Sequence, residues 1–197
     1  MGMKFLNSLS TRVSSLKEVK TMKYLDKISK MENVISLGIG DPDFDTHQNI
    51  KGAAKRAIDK GRTHYTPSAG ILELREAIAE YYKKFYNVEI LPNNVIVTAG
   101  AHEATYLAFQ TLFNRDDNVI VPDPGFLSYW EYPKLVDAKA ISLPLRMKKG
   151  FQPDPDELLE LITKRTKMIV VNYPNNPTGA ILDEDIAKAI ADIATGL

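Results

Sequence analysis

Four short apolar runs, separated by stretches of helical periodicity, most constrain what this chain can fold into. The runs are Val95–Thr98, Val119–Val121, Ala140–Leu143 and Met168–Val171. Between and after them lie amphipathic stretches at Glu103–Phe113, Leu127–Val136, Pro155–Thr163 and Asp183–Ala194. Buried strands alternating with helices imply right-handed crossovers and a mainly parallel sheet with flanking helices, an α/β fold. Before residue 94 the pattern is helical. A surface helix is expected over Thr11–Met31, a short strand at Val34–Leu37, and helices over Asn49–Lys60 and Ile71–Tyr86. In the last of these, Leu74, Ile78 and Phe85 fall on one face.

The strand runs end in unusual turns. Met168–Val171 leads into Asn172-Tyr-Pro-Asn-Asn-Pro-Thr-Gly179, where prolines and a glycine make a rigid turn that can aim an amide side chain. Asn176 can donate to a phenolate-type oxygen, with Asn175 as its competitor. Both also suit an ordinary turn. Val119–Val121 leads into Asp123-Pro-Gly-Phe126, so Phe126 sits at the same sheet edge, able to stack on a heteroaromatic ring or to pack in the core. Val95–Thr98 leads through Ala99 and Gly100 to Ala101 and His102 at a helix start, where small residues and amide N–H groups suit a phosphate. His102 could cap that helix or contact the phosphate, and a lone His more often has a structural or solvated role. Trp130 and Tyr132 read as packing residues. In α/β folds ligands bind at the carboxyl ends of strands, and all three turns are expected along that edge.

Composition narrows the partners. Basic and acidic residues both number 25, so the formal charges cancel and nothing favours nucleic acid or an anionic membrane over small molecules. The absence of cysteine excludes disulfides, thiolate metal sites and thiol nucleophiles. No apolar stretch approaches the roughly 20 residues of a membrane helix, and the start, MGMKFLNSLS, is too short and polar for a secretory leader. A cytoplasmic protein is expected.

The order of motifs carries more than any one of them. Gly40-Asp-Pro-Asp-Phe44, Tyr65-Thr-Pro-Ser-Ala-Gly70, Leu74-Arg-Glu-Ala77, Thr98-Ala-Gly-Ala101, Pro124-Gly-Phe126 and Asn175-Asn-Pro-Thr-Gly179 follow in sequence. That series resembles the first half of the fold-type I, class I/II aminotransferases, which depend on pyridoxal 5'-phosphate, and within them the bacterial and archaeal aspartate aminotransferase group. The resemblance implies residues 1–45 as an N-terminal arm and part of a small domain, and 46–197 as an incomplete cofactor-binding large domain. It implies that Gly100, Ala101 and His102 form the phosphate-binding turn, that Phe126 stacks on the pyridine ring, and that Asn176 hydrogen-bonds the 3'-oxygen. Tyr65 would reach the phosphate of a neighbouring subunit, Gly40 would approach the substrate carboxylate, and Arg75 would do structural work. It also implies cis peptide bonds before Pro124 and Pro177. The sequence departs from the family pattern at His47, where relatives often have Pro, and at His102 and Phe126.

The reaction needs a lysine that holds the cofactor, a carboxylate at the pyridine nitrogen and an arginine for the substrate carboxylate. In the family these lie further past the Asn-Pro-Thr-Gly turn than residues 177–197 extend, so no catalytic residue is named here, and this chain alone is expected to be inactive. The complete enzyme would move an amino group between an α-amino acid, such as aspartate, and a 2-oxo acid. Other readings are a carbon–sulfur lyase on the same fold, or a non-catalytic remnant or assembly subunit. A homodimer or larger oligomer is expected, because half a sheet leaves a strand edge uncovered.

Overall fold

The computed structural model describes residues 9–14, 16, 24, 27–28, 30–35, 40 and 42–196. Contacts divide the chain into two compact units, one of residues 1–17 with 100–197 and one of residues 18–99.

In the first unit the sheet is parallel throughout. Strands β1 (Asn118–Asp123), β2 (Lys139–Pro144) and β3 (Thr166–Ile169) lie in the order β2-β1-β3. Helices α4 (Ala101–Leu112), α5 (Ser128–Leu135), α6 (Pro155–Leu161) and α7 (Glu184–Thr195) accompany them. Side chains alternate along β1, and each parity feeds its own core. Val119 and Val121 pack with Phe109, Phe113 and Ala138, against Trp130 and Tyr132 of α5. Ile120 points the other way, into Leu143, Leu158 and Ile190. Because both faces of β1 are covered, its run reads as continuously apolar rather than alternating. Val119, Ile120 and Val121 are fully buried; each such side chain contributes about 1.5–3 kcal/mol. On α7, Ile186, Ile190 and Ile193 recur at helical spacing and face this second core.

Local chemistry sets the ends of these elements. Asp154 caps α6, its Oδ1 accepting from the Asp156 and Glu157 amides at 3.1 and 3.4 Å, and Pro155 occupies the first helical position. At the amino end of β1, Asn118 donates from Nδ2 to Thr163 Oγ1 at 3.1 Å and accepts from Thr166 Oγ1 at 2.8 Å. The pairing of β1 with β3 shifts register between Asn118 and Val119.

The second unit contains α2 (Gln48–Asp59) and α3 (Leu72–Tyr86). His47, the departure from the family pattern, has a physical use: its Nδ1 accepts from the Asn49 amide at 3.3 Å and caps α2. Arg75 does structural work. From α3 it donates to Gly70 O at 3.2 Å, Pro92 O at 3.1 Å and Asn93 Oδ1 at 3.4 Å, holding the loops on either side of the helix.

Several expectations need correction. Val95–Thr98 forms no strand. Val95 is extended and buried, and Val97 N bonds to Ala69 O at 3.0 Å, but a single bond to a loop is not a ladder. β3 begins at Thr166 and ends at Ile169, although Val170 N still bonds to Ile120 O at 2.9 Å. Of the helix expected over Thr11–Met31, α1 (Thr11–Ser14) is present, and much of the remainder lies outside the described residues. Val34 and Ile35 are not in a strand; residues 36–37 lie outside the described set. The bonds before Pro124 and Pro177 are cis as expected, and so is the bond before Pro174.

Candidate functional site

The strand order fixes where a site can form. β1 is central, and its crossover leads to β2 on one side while β3 lies on the other. The carboxyl ends of β1 and β3 therefore flank a switch point, the place where α/β sheets open a crevice for ligands. The turns following these two strands are Asp123–Phe126 and Val170–Gly179.

The two turns touch. Asn175 Nδ2 donates to Pro124 O at 3.4 Å and to Thr178 Oγ1 at 2.9 Å. Backbone bonds from Asn175 N to Ala180 O at 2.9 Å and from Gly179 N to Asn175 O at 2.7 Å close the second turn on itself. The paired asparagines have opposite settings, which the sequence alone left open. Asn175 is 3 % exposed and Asn176 is exposed. Asn175 is built into the turn, and Asn176 leaves its amide at the surface.

The first turn is shaped by Gly125. A Cβ there would lie 2.3 Å from Pro122 O, so only glycine lets the chain fold back on the end of β1. Phe126 follows, half-buried, and its ring meets the His102 ring edge-on at a centroid distance of 5.4 Å. Tyr129 meets Phe126 in the same manner at 5.5 Å. Burial pushes the Tyr129 phenol up from its ordinary value, with a further rise from Tyr132, so it stays neutral at physiological pH.

The helix turn joins them through His102. Gly100 precedes α4 with φ 92°, a conformation that favours glycine, and an added Cβ there would meet nothing within 4 Å. The first helical bond runs from Ala104 N to Gly100 O, so Ala101 and His102 stand at the positive end of a 12-residue helix. His102 does not cap the helix. Its Nδ1 is hydrogen-bonded to Tyr132 OH, and that bond with the Phe126 contact fixes the plane of the imidazole. Tyr132 thus does more than pack. The pairing spans 30 residues and leaves no local trace in the sequence.

The structure therefore brings Gly100, Ala101, His102 and Phe126 together around the switch point, with the turn of Asn176 bonded to the turn of Phe126. Tyr65 and Gly40 belong to the other unit. Tyr65 is fully exposed there, and Gly40 has open space at its Cα. These residue types match the three parts of pyridoxal phosphate: amides at a helix start for the phosphate, an aromatic face for the ring and an exposed amide for the 3'-oxygen.

Comparison with known proteins agrees. Residues 32–196 match the sequence profile of aminotransferase class I and II. The chain is 61 % identical over 186 residues to the aspartate aminotransferase of Pyrococcus horikoshii, covering 94 % of this chain and 48 % of that protein. It is 42 % identical over 188 residues to a probable aspartate/prephenate aminotransferase of Aquifex aeolicus, covering 93 % and 48 %. A solved single mutant of Thermus thermophilus aspartate aminotransferase superposes with a TM-score of 0.91 at 38 % identity, over 96 % of this chain and 50 % of that one. The chain spans about half the length of these relatives. Pyridoxal phosphate is the cofactor of such enzymes. On the match across residues 32–196 and on these relatives, the chain belongs to the aminotransferase class I and II family.

Proposed function

We propose that this chain is the N-terminal portion of a pyridoxal-phosphate-dependent aminotransferase that moves an amino group between an α-amino acid, aspartate foremost, and a 2-oxo acid. The observation that carries the reading is the meeting of two strand-end turns and a helix start at one switch point. The substrate class is supported by similarity to aspartate and aspartate/prephenate aminotransferases.

When bound, the cofactor supplies an electron sink that stabilises negative charge at the substrate α-carbon. The chain's own residues bind and orient. Ala101 and His102 would offer amide N–H groups to the phosphate, Phe126 would supply the aromatic surface for the ring, and Asn176 would supply the amide donor for the 3'-oxygen. Gly40 leaves room for the substrate carboxylate, and Tyr65 serves a neighbouring subunit of a homodimer. Residues 1–45 belong with an arm and small domain and 46–197 with the large domain, in a cytoplasmic enzyme. Among the described residues no helix is long and apolar enough to cross a membrane.

The test joins two assays. This chain together with the polypeptide encoded in frame downstream should convert aspartate and 2-oxoglutarate. Alone it should show no turnover, and borohydride should trap pyridoxal phosphate on no unique lysine. Turnover by this chain alone would overturn the assignment of roles. A complemented protein that binds no cofactor would favour a non-catalytic remnant, and elimination of a thiol without amino transfer would favour a carbon–sulfur lyase.

A further inference from the structure

We infer that Asn175 is a positioning residue that holds the Phe126 turn and the Asn176 turn in register, so that the two turns move as one body. A turn asparagine ordinarily bonds within its own turn. Asn175 does this through Nδ2 to Thr178 Oγ1, and then spends its second amide proton on Pro124 O, 51 residues away. It is 3 % exposed, so water is a poor substitute for either bond. Its Oδ1 has no hydrogen-bond partner among the described residues. Rotating the amide by 180° would aim that oxygen at Pro124 O and Thr178 Oγ1. Only the hydroxyl can donate, so the carbonyl contact would become repulsive, and the observed orientation is the one that serves both partners.

The accepting carbonyl is itself constrained. It belongs to the peptide that enters Gly125, and that turn is folded tightly enough that a Cβ at Gly125 would strike Pro122 O at 2.3 Å. Phe126 follows one residue later and Asn176 one residue after Asn175. Asn175, the residue before Asn176, thus bonds to the carbonyl two residues before Phe126; Asn176 and Phe126 are the two groups that the proposed function assigns to the cofactor ring. The consequence for the cofactor rests on that reading; the coupling of the turns does not.

The test uses the ligand-free chain, so that failure of the coupling is separate from failure of cofactor binding. Asn175→Asp keeps the shape and removes both donors. Tyr129 N donates to Phe126 O at 3.1 Å and so reports the first turn. In Asn175→Asp, amide hydrogen exchange at Tyr129 should quicken about fivefold, the effect of one ordinary hydrogen bond, along with exchange at Gly179 and Ala180. Asn176→Asp, altering the exposed neighbour, should leave Tyr129 at the wild-type rate. Thr178→Val should affect Gly179 and Ala180 only. Effects of Asn175→Asp confined to residues 175–180, or equal effects of Asn176→Asp on Tyr129, would overturn the inference. If Asn175→Asp fails to fold, the wild-type chain decides. A nuclear Overhauser contact from the Asn175 side-chain amide to Pro124 or Gly125 protons is expected, and its absence would refute the coupling.

Discussion

Gly125→Ala sets a strict test of how the site is built. The added methyl would sit 2.3 Å from Pro122 O, 3.2 Å from the Pro122 carbonyl carbon and 3.0 Å from Pro122 Cγ. No side-chain rotation relieves the first two contacts, because both atoms are backbone. Pro122 cannot withdraw freely either: it is buried and pairs with Leu143 of β2. The next residue, Asp123, accepts from Leu145 N at 2.7 Å through its carbonyl and from Ser142 Oγ at 2.9 Å through its carboxylate. Relief must come from opening the turn or pulling the end of β1 away from β2. Forced overpacking of this kind costs about 2 kcal/mol, within the range for inserting a methyl into a well-packed place. With a urea slope of about 2 kcal/mol per molar, the unfolding midpoint falls by about 1 M. The assay is built in, because the only tryptophan, Trp130, packs against the core beneath α4 and α5 and its fluorescence reports this unit. Leu145 amide exchange should quicken in parallel. A Gly125→Ala chain with an unchanged midpoint and unchanged Leu145 exchange would refute the account of the turn.

Other expectations follow from the same structure. Phe109 is fully buried and stacks on Phe113 at 4.9 Å, so Phe109→Ala should cost about 3–5 kcal/mol in urea unfolding. Gly100→Ala should destabilise through its φ of 92° alone, by about 1–2 kcal/mol in the same measurement, since the methyl meets nothing. Asp154 is held below its ordinary 3.8, first by Lys149 and then by the Glu157 amide. Its carboxylate therefore contributes stability that is present above pH 3.8 and lost as pH falls through the lowered folded value. The deficit of Asp154→Ala relative to wild type, by urea midpoint, should be full at pH 6 and shrink below pH 3.8.

How much of this was legible in the sequence depends on whether the cause was local. β1 announced itself because Val119–Val121 is buried on both faces. The start of β3 did not: Thr166 and Lys167 are polar, and Thr166 is in the strand because its hydroxyl meets Asn118 across the sheet. Val95–Thr98 has strand composition, yet a strand is a relation between segments and no ladder includes it. The site turns were marked by Pro and Gly, residues whose constraints act on their own backbone. Which of Asn175 and Asn176 is buried was not marked, since it depends on where Pro124 O lies. The same holds for His102, whose setting comes from Tyr132.

The Asn118 knot lies at the amino end of the sheet, with Thr163 and Thr166, opposite the strand ends that carry the turns. Its neighbour Lys164 is exposed, and the chain has no cysteine. A single Lys164→Cys change would therefore give one reactive thiol, at the far end of the sheet from Phe126 and Asn176. Coupled to a sensor chip through that thiol, every molecule would stand the same way up, with the edge that carries the two turns toward the flowing solution.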